Sequence, residues 1–175
     1  MQRETAFDET RWLDDFVQAW AREYPDAEDT SAMVLVTLLA RLAMLIEGFQ
    51  AVSLKRFDLG TNDYAVLAAL RRAGEPYELA PSQLYTALER SSGGMTKMLK
   101  RLEQLELVRR VPDPDDRRST LVRLTEEGKV LEAAAFEHIV GAAHGLLESA
   151  SHSDIATIDD ALRRLLVIIE RGFPR

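Results

Sequence analysis

The sequence predicts a mainly α-helical protein: a winged helix-turn-helix flanked by long terminal helices and carrying a two-stranded β wing. Three observations point there. Apolar residues recur at helical spacing over most of the 175 residues. Three short helical segments, separated by Gly, Pro and Ser, stand in the middle of the chain. A single pair of alternating stretches, residues 107–111 and 120–124, follows them, joined by the charged run Pro-Asp-Pro-Asp-Asp-Arg-Arg-Ser.

Residues 7–24 place Trp12, Phe16, Ala19, Trp20 and Tyr24 on one helical face, with acids on the other, and Pro25-Asp26 stops that helix. A second helix runs from a cap at Thr30 or Ser31 to about Phe57 and is apolar around most of its circumference. Such a helix needs cover on nearly every side, from its own domain or from a second subunit. Gly60-Thr61-Asn62 reads as a stop and a new cap, opening a short helix over 62–73 that Gly74-Glu75-Pro76 breaks. Pro81, suited to a first helical position, starts the next, ending near Glu89. Residues 90–94 form a turn, and a helix over 94–106 follows, with Met95, Leu99, Leu102 and Leu105 as its buried stripe. After the hairpin, Thr125 caps a helix with Glu126 and Glu127 in its first turn, the sign the helix dipole favours. It runs towards Ser149. The last helix, 153–171, aligns Ile155, Ile158, Leu162, Leu165, Leu166 and Ile169. The domain organisation read from this is 1–60 for the N-terminal extension and dimerisation helices, 61–125 for the winged lobe, and 126–175 for C-terminal dimerisation helices.

The chain has no cysteine, which excludes disulfides, thiolate zinc sites and thiol redox sensing. The first thirty residues are acidic where a secretory signal would be basic and then apolar, so a cytoplasmic location is expected. The apolar stretch 31–54 is interrupted by Arg41 and Glu47, and no membrane association is expected. No phosphate-cradling glycine loop, HExxH or G-x-S-x-G motif is present, so neither an enzyme nor a bound cofactor is expected. His138, His144 and His152 lack the i,i+4 spacing of a helical metal site, and no metal is expected.

The net charge of −7 speaks at first against a polyanionic partner. Its distribution reverses that. Residues 80–125 hold nine basic and six acidic side chains, a local net of +3, whereas the remainder carries −10. Thr96, Lys97, Lys100 and Gln104 fall opposite the apolar stripe of the third short helix, whose length suits a DNA major groove. Ser91, Ser92 and Gly93 stand at its start, where small residues and free amides admit a phosphate. Arg101 adds a further cation, and Arg117 and Arg118 at the hairpin tip are long enough to enter a minor groove. Arg101 and Arg123 also have acids available as internal partners.

Residues 79–128 resemble the core of the MarR family of bacterial transcriptional regulators. The wing signature Asp-x-Arg, three residues, then Val-x-Leu-Thr, is present as Asp116, Arg118, Val122, Leu124 and Thr125. The resemblance implies a homodimer on palindromic double-stranded DNA, usually a repressor released by a small ligand, with Asp116 orienting the wing arginines. Trp20, Pro25-Asp26 and the run Ser91-Ser92-Gly93-Gly94-Met95-Thr96 resemble the urate-responsive branch, which carries an N-terminal helical extension. Its four ligand positions fall on Trp20, Ala65, Met98 and Arg110. Ala65 and Met98 replace the branch's aspartate and arginine, so an anionic purine loses two polar partners and the effector implied is aromatic or apolar. Two other readings fit parts of the pattern: a winged-helix module for protein–protein interaction, with the basic strip facing an acidic partner, and a metal-responsive regulator using the histidines.

Overall fold

The computed structural model describes residues 11–24, 31–88, 92–116 and 119–173, without the side chain of Ser92. The chain divides into two compact units, residues 1–50 and 51–175.

In the first unit, α1 (Arg11–Glu23) has no buried residue, and its aromatic face is self-associated at helical spacing. Trp20 stacks on Tyr24 at 5.3 Å between ring centroids and meets Phe16 edge-on at 6.2 Å. The stop at Pro25-Asp26 lies outside the described residues. The apolar helix α2 (Ser31–Leu54) leaves Val36, Leu42, Leu45 and Ile46 exposed along this unit. By length and composition alone, Ser31–Phe57 is long and apolar enough to cross a membrane; Arg41 and Glu47 lie within it. The helix ends earlier than the expected Phe57, in a single 3₁₀ turn, Lys55–Phe57. Asp58 closes that turn with a left-handed backbone (φ 52°) and donates its N–H to the Lys55 carbonyl.

The second unit continues with α3 (Thr61–Arg72), β1 (Glu78–Leu79), α4 (Pro81–Leu88), α5 (Ser92–Gln104), β2 (Val108–Pro112), β3 (Thr120–Leu124), α6 (Glu126–Leu146) and α7 (His152–Gly172). Its core joins Leu54, Leu59, Val66, Leu67, Leu70, Leu84, Met95, Leu99, Leu102, Val108, Val122, Leu124 and Ala135. Every short helix of the winged lobe contributes its apolar stripe to that one cluster, which fixes the helices' relative orientation. Val108 and Leu124 are partners in the β2–β3 register and are both buried. The expected two-stranded wing gains a third strand. β1 pairs with the free edge of β3, Glu78 opposite Arg123 and Leu79 opposite Val122. Two residues are too few for an alternating pattern to reveal.

Two expectations for α5 need correction. The helix begins at Ser92 and ends at Gln104, so Ser92 and Gly93 belong to its first turn instead of a preceding loop. Leu105, placed in the buried stripe, is 40% exposed, because the helix has already ended and Glu106 turns the chain in a left-handed conformation (φ 58°). Leu107 takes the core position instead.

The junction from wing to α6 is tightly built. The Thr125 hydroxyl accepts the Gly128 N–H at 2.9 Å as the N-cap and donates to the Glu106 carbonyl at 2.7 Å. Gly128 lies so close to the Leu107 carbonyl that an added Cβ would sit 2.0 Å from that oxygen. Ser151 caps α7 reciprocally with Asp154. No residue of α7 is buried, and its stripe of Ile155, Ile158, Leu162, Leu166 and Ile169 faces outward; Ile158 is 53% exposed.

Candidate nucleic-acid interface

The polarity of α5 follows from its core contacts. Met95, Leu99 and Leu102 are buried, so the geometry of the helix turns Thr96, Lys97, Lys100 and Gln104 to the exposed surface. Lys97 and Lys100 make no ion pair among the described residues. Ser91, Arg117 and Arg118 lie outside the described residues. The backbone around the wing tip is locally closed. Asp113 accepts the Asp115 N–H at 2.9 Å, and the Asp116 carboxylate accepts the Ser119 hydroxyl at 2.7 Å. The Ser119 N–H donates to the Asp116 carbonyl, and the Asp113 N–H to the Ser119 carbonyl. Asp116, the expected orienting residue, is thus fixed at the base of the tip.

Other cations of the basic lobe are held internally. Arg101 donates Nε to Asp63 at 3.1 Å and an amino group to the Asp58 carbonyl at 3.0 Å. The Asp63 carboxylate is buried and also accepts the Gly60 N–H at 3.1 Å, capping α3. One carboxylate therefore ties the start of α3 to the last turn of α5. Arg110 pairs with Glu103 at 2.7 Å, and Arg123 with Glu78. Of the two expectations for Arg101, a DNA contact and an internal acid partner, the structure shows the second, a brace across α3 and α5. The signal for Asp63 was present in the sequence, since it stands three residues after the Gly60 cap position.

Of the four expected ligand positions, Ala65, Met98 and Arg110 lie in the second unit and Trp20 in the first. Met98 is partly buried and lines a cavity of about 330 Å³ with Asp63, Lys97 and Arg101. Neither Ala65 nor Arg110 lines it, and Arg110 is engaged with Glu103. Trp20 belongs to the first unit, stacked on Tyr24. Among the described residues no three metal-binding side chains converge. His138 meets the Phe57 ring edge-on and lies 3.5 Å from the Arg56 guanidinium.

A second polar node, unforeseen from the sequence, ties α3 to α6. Arg71 donates Nε to the buried Glu132 at 2.9 Å and an amino group to the Lys129 carbonyl at 2.8 Å. The bond to Glu132 holds the Arg71 pKa above its ordinary value. Tyr77 receives Arg71 and Lys129 on its ring, at 5.2 and 4.8 Å from the centroid.

The sequence pattern of the MarR family matches residues 57–119, the whole reading lobe up to the hairpin tip. The chain is also 36% identical over 128 residues to the HTH-type transcriptional regulator PecS of Dickeya dadantii, covering 73% of this chain and 76% of that one. The chain belongs to the MarR family. It is a DNA-binding transcriptional regulator of that family. Among solved structures, AbsC, a MarR family regulator from Streptomyces coelicolor, superposes with a TM-score of 0.68 at 27% identity, covering 83% of this chain and 97% of that one. A cysteine-to-serine mutant of E. coli MarR, complexed with operator DNA, shares the fold with a TM-score of 0.68 at 24% identity, covering 78% and 96%.

Proposed function

We propose that this MarR-family regulator is a cytoplasmic homodimer that represses its target genes from a pseudo-palindromic operator and is released by a small aromatic or apolar effector. The observation that carries the DNA-reading part is the division of cations around α5. Arg101, Arg110 and Arg123 are held in internal ion pairs, while Lys97 and Lys100 face outward beside Thr96. In this reading Thr96, Lys97 and Lys100 reach the major groove, and Ser91, Ser92 and Gly93 receive a phosphate at the helix start. Arg117 and Arg118 enter the adjacent minor groove. Arg101 holds α5 in place.

The exposed stripe of α7 and the apolar circumference of α2 support dimerisation, because each leaves large aliphatic side chains in water. Two recognition helices about 34 Å apart would then match one turn of DNA. Release requires an effector that binds the DNA-incompetent arrangement more tightly. Trp20, Ala65, Met98 and Arg110 remain the proposed effector set, and the Met98 cavity supports only its α5 portion.

The test is operator binding across a salt series, with a scrambled duplex as competitor. Wild type is expected to prefer the operator at least about a thousandfold and to weaken steeply with salt. The Arg117→Ala/Arg118→Ala double variant is expected to lose affinity and to show a shallower salt slope. Equal affinity for operator and scrambled duplex, unchanged in the double variant, would overturn the proposal.

A further inference from the structure

Tyr77 stands between α3 and β1 with a left-handed backbone (φ 60°), a conformation that bulky residues rarely adopt and that glycine, as at Gly74, takes freely. Such a residue persists only where its surroundings over-determine it. Here they do. The Tyr77 N–H donates to the Gly74 carbonyl at 2.6 Å, and the Tyr77 carbonyl accepts the Leu124 N–H of β3 at 3.1 Å. The ring is partly buried against the core. It receives Arg71 of α3 at 5.2 Å and Lys129 of α6 at 4.8 Å from its centroid.

Each of these partners is itself anchored. Arg71 reaches the buried Glu132 and the Lys129 carbonyl, both on α6. Lys129 pairs with Glu126 in the first turn of the same helix at 2.8 Å. On the wing side, Glu78, next in sequence to Tyr77, pairs with Arg123 and opposes it in the β1–β3 register. One short segment therefore grips the wing strand through its backbone and Glu78, and the α3–α6 joint through one aromatic ring. Glycine would satisfy the backbone at position 77 without strain, but only a ring also receives two cations.

We infer that Tyr77 is a positioning residue for DNA reading: its ring clips β3, and with it the wing, to the joint where α3 meets α6. The clip accounts for the strain retained at this position. The recognition helix is held separately, by Met95, Leu99 and Leu102 in the core and by the Arg101–Asp63 pair. Loss of the ring is therefore expected to loosen the wing before it disturbs α5. The effect on operator reading rests on the proposed function, in which the wing arginines enter the minor groove; the clip itself does not.

The experiment compares amide hydrogen exchange in the full-length protein without DNA. Tyr77→Asn tolerates the left-handed backbone but lacks the ring. It should speed exchange of the Leu124 amide at least about tenfold, with the α5 amides of Leu99 and Leu102 within about threefold of wild type. Tyr77→Phe keeps the ring and should match wild type. Lys129→Gln removes one cation from the ring, should speed Leu124 about threefold or more, and serves if Tyr77→Asn does not fold. Operator reading is measured on the duplex that wild type selects from a random pool, with flanking A·T pairs replaced by 2,6-diaminopurine·T. That change adds a minor-groove amino group and keeps the major-groove edge. Wild type is expected to lose about tenfold in affinity, and Tyr77→Asn no more than about twofold. An unchanged Leu124 rate, equal acceleration of Leu124 and the α5 amides, or a full diaminopurine loss in Tyr77→Asn would overturn the inference. A wild type indifferent to diaminopurine would count against the wing contact of the proposed function alone, and the exchange rates would still decide the clip.

Discussion

Removing the Asp63–Arg101 bridge tests whether Arg101 holds the recognition helix or touches DNA. At an Nε–Oδ2 separation of 3.1 Å, the pair is worth about 1.3 kcal/mol in the dielectric of water and about 5 kcal/mol at an effective constant of 20. The Arg101 side chain is 47% exposed while that of Asp63 is 11% exposed. The guanidinium is thus solvated on one side, which brings the expected coupling down to about 1–2 kcal/mol. Asp63 also accepts the Gly60 N–H, so Asp63→Ala loses the α3 cap as well, a further cost of about 1 kcal/mol. Urea denaturation of wild type, Asp63→Ala, Arg101→Ala and the double variant, at one protein concentration, isolates the pair term as the departure from additivity.

The same four proteins separate bracing from contact on DNA. If the whole coupling serves to orient α5, either single variant loses up to about 5- to 30-fold in operator affinity. A brace leaves the slope of log K against log salt unchanged, because no phosphate contact is lost. A phosphate contact by Arg101 would lower that slope by about 0.9 and would be insensitive to Asp63. A slope reduced in Arg101→Ala but not in Asp63→Ala, with coupling in the unfolding cycle below about 0.3 kcal/mol, would refute the bracing role.

The remaining predictions concern the joints that carry the reading lobe. Gly128→Ala puts a methyl 2.0 Å from the Leu107 carbonyl oxygen, so either that carbonyl or the start of α6 must move by more than 1 Å. We expect a loss of about 3 kcal/mol or more and a fall of roughly 6–12 °C in Tm; a melting curve matching wild type would count against the packing described. At the start of α7, bonds from the Ser151 side chain and backbone lower the Asp154 pKa below 3.8. A depressed carboxylate pKa contributes stability above the unfolded value that is lost as pH falls through the folded value, here in the window from about 3.8 downward. Ser151→Ala is therefore expected to flatten the acid limb of a pH–Tm profile at and below that window; an unchanged acid limb would dismiss the cap as its source.

Local features of this chain were legible because their causes are local. Pro81 opening α4, Thr125 capping α6 and the alternation of β3 each depend on residues within a few positions of one another. The spacing that buries Met95, Leu99 and Leu102 also carried the wet face of Thr96, Lys97 and Lys100. α5 ends before the helical period does, because Leu105 continues that period while Glu106 adopts a left-handed turn that periodicity does not encode. β1 has no sequence signal for the complementary reason. Its two residues become a strand only through the edge of β3, more than forty positions away.

The site divides along the same line. Nine basic side chains lie between residues 80 and 125, and the sequence sets apart only Arg101 and Arg123, as having acids available internally. What separates them is the acid each one meets: Asp63 lies 38 positions from Arg101, and Glu78 lies 45 from Arg123. A pairing across such distances has no local signature, yet it decides which cations are spent on the fold and which remain for phosphate. The internal pairs neutralise charge on the lobe while orienting the helix and sheet that carry the rest. A local net of +3 therefore measures neither property by itself: in the proposed function, attraction rests on the outward lysines and the wing arginines, and specificity on the braced angle at which α5 presents them.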